Sequence, residues 1–231
     1  MQKNDILTGR VIDYTHDGLG VVKVDNFPIF IEDVIEGEFI EFKIIKLKKN
    51  LGYGKVLNII EVSDKRVEGV PKTSGANLVH MDYEEQLRFK TKKVQNIMNK
   101  TLGADSVEVL PTLGMKNGYH YRNKSVIPVQ KVDNEVRMGY YKPRSHDVIN
   151  IEKCFIQYDE HNKLMNDIRS LIIELDLSVY DEESHKGAIR HIMFRTNSSK
   201  SEIMVGIIAK ERFVNLNEFV EKIMSLDDRI V

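Results

Sequence analysis

The sequence predicts an α+β protein of two domains, in which a small barrel of five strands precedes a domain of antiparallel strands and helices. Two observations support this fold class. The first 64 residues contain only short β-rich segments between turns, with no room for a long helix. The rest of the chain alternates helix-periodic and strand-like segments. The 231 residues, 42% of them hydrophobic, suffice for two domains that each bury a core.

The first domain is predicted from strand-like segments at residues 10–14, 21–24, 28–31, about 40–44 and 54–62. The stretches between them are rich in Gly, Asp and Asn, which favour turns. Ile40, Phe42 and Ile44 alternate with charged residues, the period of a half-buried strand. Five short strands in about sixty residues are typical of an OB-like barrel, which we assign to residues 1–66.

A break in the pattern at residues 63–75 predicts a linker and a loop before the first helix. Asp82 and Glu85 form a capping-box pattern, so the helix is expected to begin there, and Gly103 can end it. Its predicted apolar face consists of Leu87, Val94 and Met98. The remaining surface of this helix is basic, with Arg88, Lys90, Lys92, Lys93 and Lys100.

The second domain, residues 67–231, is predicted to combine strand pairs with helices. Strands are expected at 121–132 and 135–141, joined by a hairpin turn at Asp133-Asn134, and at 188–196 and 202–209. A long helix is predicted at 159–175 and a last helix from Asn215 or Asn217. This alternation indicates an α+β domain of antiparallel strands and helices.

Composition excludes several classes of protein. Thirty-four basic and 35 acidic residues give a net charge of −1, which excludes a wholly basic histone-like chain but allows a basic face. Cys154 is the one cysteine, so the chain can form neither a disulfide framework nor a Cys-rich zinc site. There is no apolar run of about 18 residues and no signal-peptide stretch, so we expect a cytoplasmic protein with no membrane contact. We also expect a monomer.

No catalytic or metal-binding residue is predicted from motifs. Gly18-Leu19-Gly20 lacks the third glycine of a dinucleotide fingerprint and precedes a strand, which favours a hairpin turn. The seven histidines are scattered, without a metal-binding spacing. Residues 119–121 and 145–147 contain groups capable of acid–base chemistry, although turn or surface roles are favoured.

Four clusters of basic residues, most of them with aromatic neighbours, are more informative. The first surrounds residues 50–54 and the second covers 119–124; the third covers 140–146 and the fourth 186–195. Basic side chains beside aromatic rings are a common arrangement for RNA, because the rings stack on unpaired bases. A solvated surface is the competing interpretation of any single cluster.

The chain resembles the N-terminal half of the RNA uracil-5-methyltransferase family, which makes 5-methyluridine in ribosomal and transfer RNA. Residues 18–21, 30–31, 36–38 and 63–67 resemble a TRAM domain, an OB-like RNA-binding barrel. Further matches follow in family order at 80–87, 121–124, 139–141, 145–146, 151–157 and 190–195. The resemblance implies use of S-adenosylmethionine by the full-length enzyme.

The chain departs from this family in two respects. Many members hold a [4Fe–4S] cluster with four cysteines, whereas here Ser74 and Asn77 occupy two of those positions and only Cys154 remains. Such a cluster needs about four ligands, so we expect none and expect Cys154 to be a core residue. The family's methyltransferase domain, with its nucleophilic cysteine and general base, has no counterpart in these 231 residues. We therefore expect this chain alone to be inactive.

We interpret the chain as the RNA-recognition portion of such an enzyme, acting on rRNA or tRNA. The alternative is a stand-alone RNA-binding or ribosome-associated module without enzymatic activity. On the first interpretation the residues predicted to contact RNA are Lys46, Lys48, Lys49, Lys55, Tyr121, Arg122, Lys124, Lys142, Arg144 and Arg190.

Overall fold

The computed structural model describes residues 1–70, 76–104, 106–142 and 145–231. The predicted loop at 71–75, with Ser74, lies outside these ranges, as does Arg144. The described residues form two compact units: those up to 115, apart from Ala76, make the first, and Ala76 with those from 116 makes the second. The first unit thus includes the barrel and also the first helix. The predicted α+β fold class is confirmed.

The first unit contains a closed five-stranded barrel. Its strands are β1 (Ile6–Tyr14), β2 (Gly20–Val24), β3 (Phe27–Ile31), β4 (Phe39–Leu47) and β5 (Gly52–Glu61). Their order around the barrel is β1-β2-β3-β5-β4, with β3 and β5 parallel and the other pairs antiparallel. The predicted alternation in β4 is confirmed, because Ile40, Phe42 and Ile44 are fully buried in the barrel core.

The Gly18-Leu19-Gly20 motif forms the turn before β2, as the sequence predicted. Gly18 has a φ of 87°, and its N–H donates to the carbonyl of Thr15. At Gly20 a β-carbon would lie only 2.3 Å from the side chain of Val34 and 2.9 Å from that of Val11. Both glycines are therefore needed for the turn and for close packing of the barrel.

Helix α1 (Tyr83–Leu102) belongs to the first unit. The Asp82 carboxylate accepts from the Glu85 N–H at 2.7 Å, as predicted for an N-cap. The Glu85 carboxylate does not complete the capping box but accepts from the Tyr14 hydroxyl at 2.7 Å. The predicted apolar face was wrong at Val94, which is 41% exposed, whereas Leu87 and Met98 are half-buried. Phe89, which was not predicted, is the apolar side chain that the helix buries most fully.

Helix α1 turns Phe89 toward the barrel because an apolar site on the barrel accommodates its ring. Its ring meets the ring of Tyr14 edge-on, with centroids 5.4 Å apart. Ile35 and Met81 complete this small core, which holds α1 on the barrel.

The second unit is a five-stranded antiparallel sheet with two helices. Along the chain it forms β6 (Lys124–Val132), β7 (Glu135–Tyr141), β8 (Val148–Asn150), α2 (Asp159–Glu174), β9 (Ile189–Thr196), β10 (Ile203–Ala209) and α3 (Leu216–Met224). The sheet order is β10-β9-β6-β7-β8. The predicted hairpin at Asp133-Asn134 is confirmed, with φ values of 47° and 67°. The three-residue β8 was not predicted.

The core of the second unit joins its sheet to the two helices. Phe194 of β9, Ile168 of α2 and Phe219 of α3 are all fully buried in one apolar cluster. Among the described residues, no helix is both long enough and apolar enough to cross a membrane.

Candidate nucleic-acid interface

The first basic cluster lies on the β4–β5 hairpin of the barrel. Its four lysines are exposed, and within the described part of the chain none of them has a carboxylate at ion-pairing distance: Lys46, Lys48, Lys49 and Lys55. Lys48 Nζ lies 5.5 Å from the ring centroid of Tyr53. Tyr53 in turn meets Phe30 edge-on at 5.9 Å. The hairpin is thus an uncompensated positive surface that also presents aromatic rings.

The second cluster lies at the start of β6 in the second unit. Its backbone is held on both sides, since the Arg122 N–H donates to the Ile156 carbonyl at 2.8 Å and the Thr196 N–H to the Asn123 carbonyl at 2.8 Å. Lys124 and Arg195 are cross-strand partners and both are exposed. The ordered backbone therefore presents two neighbouring cations, with the ring of Tyr121 also 48% exposed.

The third and fourth clusters come together in the second unit. The Tyr141 ring meets His146 at 6.0 Å and His191 at 6.5 Å, and its hydroxyl lies 3.3 Å from His191 Nε2. Burial lowers the pKa of His191. Arg190 lies over the Tyr180 ring at 4.6 Å. The sequence did not reveal this arrangement, because β7 and β9 are distant in the chain and lie on either side of β6 only in the folded sheet.

Two cations of these clusters are partly neutralised. Arg190 donates to the Glu182 carboxylate at 2.6 Å, and Lys142 Nζ lies 3.5 Å from the Asp147 carboxylate. Both ion pairs are exposed, so each cation can leave its carboxylate for an RNA phosphate at a small cost in free energy. The structure thus brings Arg190 and its aromatic neighbours together. Among the described residues, the more exposed positive charge lies on the β4–β5 hairpin and on the Lys124–Arg195 pair.

Sequence reasoning missed a buried histidine beneath the second cluster. His161 of α2 is fully buried, with Nδ1 3.2 Å from Ser125 Oγ and Nε2 2.8 Å from Thr196 Oγ1. Burial lowers the pKa of His161 to about 4, so the ring is neutral at pH 7. By bonding β6 and β9, His161 fixes the two strands that carry Lys124 and Arg195.

Comparison with known proteins identifies relatives that match nearly the whole chain. No protein-family model matches the chain. An uncharacterized RNA methyltransferase of Staphylococcus aureus (strain COL) is 43% identical over 228 residues, covering 96% of this chain and 50% of that protein. One of Enterococcus faecalis is 40% identical over 214 residues, covering 91% of this chain and 47% of that protein. The chain is thus similar over nearly its whole length to proteins named RNA methyltransferases. It spans about half the length of the curated relatives it matches.

The fold is also that of a solved RNA methyltransferase. The crystal structure of Pyrococcus abyssi tRNA (uracil-54, C5)-methyltransferase in complex with S-adenosyl-L-homocysteine matches with a TM-score of 0.69 and 22% sequence identity. The match covers 93% of this chain and 48% of that one. The predicted resemblance to RNA methyltransferases is therefore confirmed, and so is the predicted fold of an OB-like barrel with an α+β arrangement.

The iron–sulfur cluster that the family resemblance raises does not fit the residues of this chain. Cys154 is its one cysteine and lies buried in the core of the second unit. The Cys154 N–H donates to Asn162 Oδ1 at 2.8 Å, and the Asn162 side chain returns a bond to the Cys154 carbonyl at 3.2 Å. In the ranges that the structure describes, no group of three or more His, Cys, Asp or Glu residues is placed to hold a metal.

Proposed function

We propose that the chain is the RNA-recognition portion of an S-adenosylmethionine-dependent RNA (uracil-5-)-methyltransferase that acts on rRNA or tRNA in the cytoplasm. The observation that carries the proposal is the relationship to RNA methyltransferases over about half their length. A tRNA (uracil-54, C5)-methyltransferase that shares the fold supports the uracil-5 assignment and the methyl donor. In this proposal the chain acts as a monomer, and methyl transfer needs residues that it does not contain.

The charge distribution supports RNA as the partner. A net charge of −1 would not by itself attract a polyanion. The basic residues are, however, gathered on the β4–β5 hairpin and at the start of β6, where phosphate contacts release condensed counterions. The proposed contacts are Lys46, Lys48, Lys49, Lys55, Tyr121, Arg122, Lys124, Lys142, Arg144 and Arg190.

The position of Cys154 supports catalysis outside this chain. Uracil C5 methylation in the resembled family uses a thiolate that adds to C6 of the base. Cys154 is only 7% exposed and lies in the apolar core of the second unit, which makes it a poor candidate for that nucleophile. We therefore propose that the chain binds RNA and holds it for a nucleophile located elsewhere.

The proposal is tested by RNA binding as a function of salt. Fluorescence anisotropy with labelled tRNA and an rRNA fragment, between about 50 and about 200 mM salt, gives Kd and its salt slope. Arg122→Ala/Lys124→Ala should weaken binding and reduce the slope by about 0.9 for each phosphate that the variant no longer neutralises. Lys131→Ala/Lys163→Ala is the matched control, because both lysines face carboxylates, at 3.5 Å and 3.9 Å. Salt-insensitive binding, or equal effects of the two double variants, would contradict the proposal.

A further inference from the structure

A groove of about 430 Å³ in the first unit lies between the outside of the barrel and helix α1. Its barrel side presents Phe30 of β3 and Tyr53 of β5, which are register partners in the parallel pair. Because their neighbours Ile29 and Gly52 face the barrel core, both rings lie on the outer surface. The two rings meet edge-on and form an aromatic floor.

Helix α1 supplies a basic wall to the same groove. Lys93, Asn96 and Lys100 line it, one turn of the helix apart. Within the described part of the chain, Lys93 and Lys100 have no carboxylate at ion-pairing distance. These two lysines belong to the basic surface of α1 that the sequence showed, but they were not among the predicted RNA contacts.

Among the described residues, two acidic side chains line the groove, and one of them, Asp13, is compensated by a lysine. Asp13 is paired with Lys92 at 2.8 Å, and Lys92 is held from its other side by Glu36 at 2.9 Å. The other, Asp17, accepts a hydrogen bond from the hydroxyl of Thr15, and the two positive charges of Lys93 and Lys100 outweigh its single negative charge. The groove therefore combines a positive wall with an aromatic floor.

We propose that this groove binds one nucleotide of single-stranded RNA, with the base on Phe30 and Tyr53 and the phosphates against Lys93 and Lys100. The inference rests on the proposed function, because it takes RNA as the partner. Aromatic side chains stack on unpaired bases, and adjacent cations follow the backbone. A volume of about 430 Å³ is in the range of small-ligand sites. A paired RNA helix cannot offer a base in this way, since its bases are stacked inside.

The groove continues the surface formed by the β4–β5 hairpin. Lys46 is the cross-strand partner of Tyr53, and Lys48 Nζ lies 5.5 Å from the Tyr53 ring centroid. Cations therefore lie on both sides of the aromatic floor, on the hairpin and on α1. This placement suits an extended RNA strand whose backbone passes across the rings. It suits an isolated anion less well, because the rings would contribute nothing to the binding of an anion alone.

The test uses the full chain and fluorescein-labelled pentauridylate, with an abasic ribose-phosphate pentamer of equal charge as the second probe. Tyr53→Ala should weaken pentauridylate binding about tenfold and leave the abasic probe unchanged, and Tyr53→Phe should retain binding. Lys93→Ala/Lys100→Ala should weaken both probes and lower the salt slope by about 0.7 for each phosphate left without its cation. Lys90→Ala is the control, because Lys90 is exposed on α1 and does not line the groove.

A second measurement uses the unaltered chain, so that it does not depend on a variant that folds. Photocrosslinking with 4-thiouridine in the pentamer should attach the base to the peptide that contains Phe30 or Tyr53. Equal affinity for the abasic and base-bearing probes would overturn base stacking. Unchanged pentauridylate binding by Tyr53→Ala and by the Lys93/Lys100 variant would overturn the groove as the RNA-binding site. Salt-dependent tRNA binding in the same experiments would leave the proposed function intact. No RNA binding at low salt would overturn both.

Discussion

Replacement of Arg66 by Met should strongly destabilise the barrel, because it would strand a buried carboxylate. Glu38 is 1% exposed, and its two oxygens accept from Arg66 Nε and Nη2, both at 2.7 Å. The backbone N–H groups of Ile35 and Ser63 also donate to it, at 2.8 Å and 3.3 Å. Arg66 Nη2 reaches the Asp33 carbonyl as well, at 2.9 Å. This ion pair therefore ties the start of β4 to the segment that follows β5.

The expected loss in the free energy of unfolding for Arg66→Met is about 3–5 kcal/mol, the usual cost of removing one partner from a buried ion pair. That is a large part of the roughly 5–15 kcal/mol that stabilises a typical domain. Urea unfolding followed by circular dichroism measures it. Arg10→Met is the matched control: Arg10 pairs with Glu61 at 2.6 Å, but both side chains are about half exposed, so its loss should stay below about 1 kcal/mol.

A double-mutant cycle separates the stranded charge from reduced packing. Glu38→Gln/Arg66→Met removes the charge together with its partner, so it should be less destabilised than Arg66→Met alone. Two results would show that the buried ion pair does not stabilise the barrel in this way. One is a similar loss in the free energy of unfolding for Arg66→Met and Arg10→Met; the other is strictly additive effects in the cycle.

Two further effects on stability are expected. The free energy of unfolding should fall by about 3 kcal/mol as pH drops from 6.5 toward 4, because His161 takes up its proton in the unfolded state before it can do so in the fold. Urea midpoints across this range measure the effect; His161→Gln should flatten it, and an unchanged profile would contradict it. Asp82→Ala should cost about 1 kcal/mol through removal of the N-cap of α1, against less than about 0.5 kcal/mol for the exposed Glu84→Ala. Equal thermal midpoints of these two variants would show that the cap is unimportant.

The Glu38–Arg66 pair also explains part of the family resemblance in physical terms. The segments 36–38 and 63–67 were recognised as separate short motifs. In the fold they meet, because Glu38 needs a charged partner inside the barrel and Arg66 supplies it. These motif residues therefore maintain the barrel, while the RNA contacts are proposed on other residues.

Local patterns were sufficient for most of the fold. The alternation in β4, the turns at Gly18 and at Asp133-Asn134, and the start of α1 at Asp82 each depend on residues close in sequence. The burial of Phe89 instead of Val94 could not be predicted, since helical spacing allows either face to turn inward. The barrel surface that receives Phe89 is formed by residues more than fifty positions away.

The sequence by itself determined the fold class, the basic and aromatic clusters and the family resemblance, because periodicity, turn chemistry and motif order can be read along the chain. Only the tertiary structure decided which charges are compensated and which rings meet. It paired Lys92 with Asp13, gave Lys93 no carboxylate partner among the described residues, and placed Tyr53 beside Phe30. The physical reason is that strand register and helix packing join residues distant in sequence, and electrostatic compensation depends on those distances.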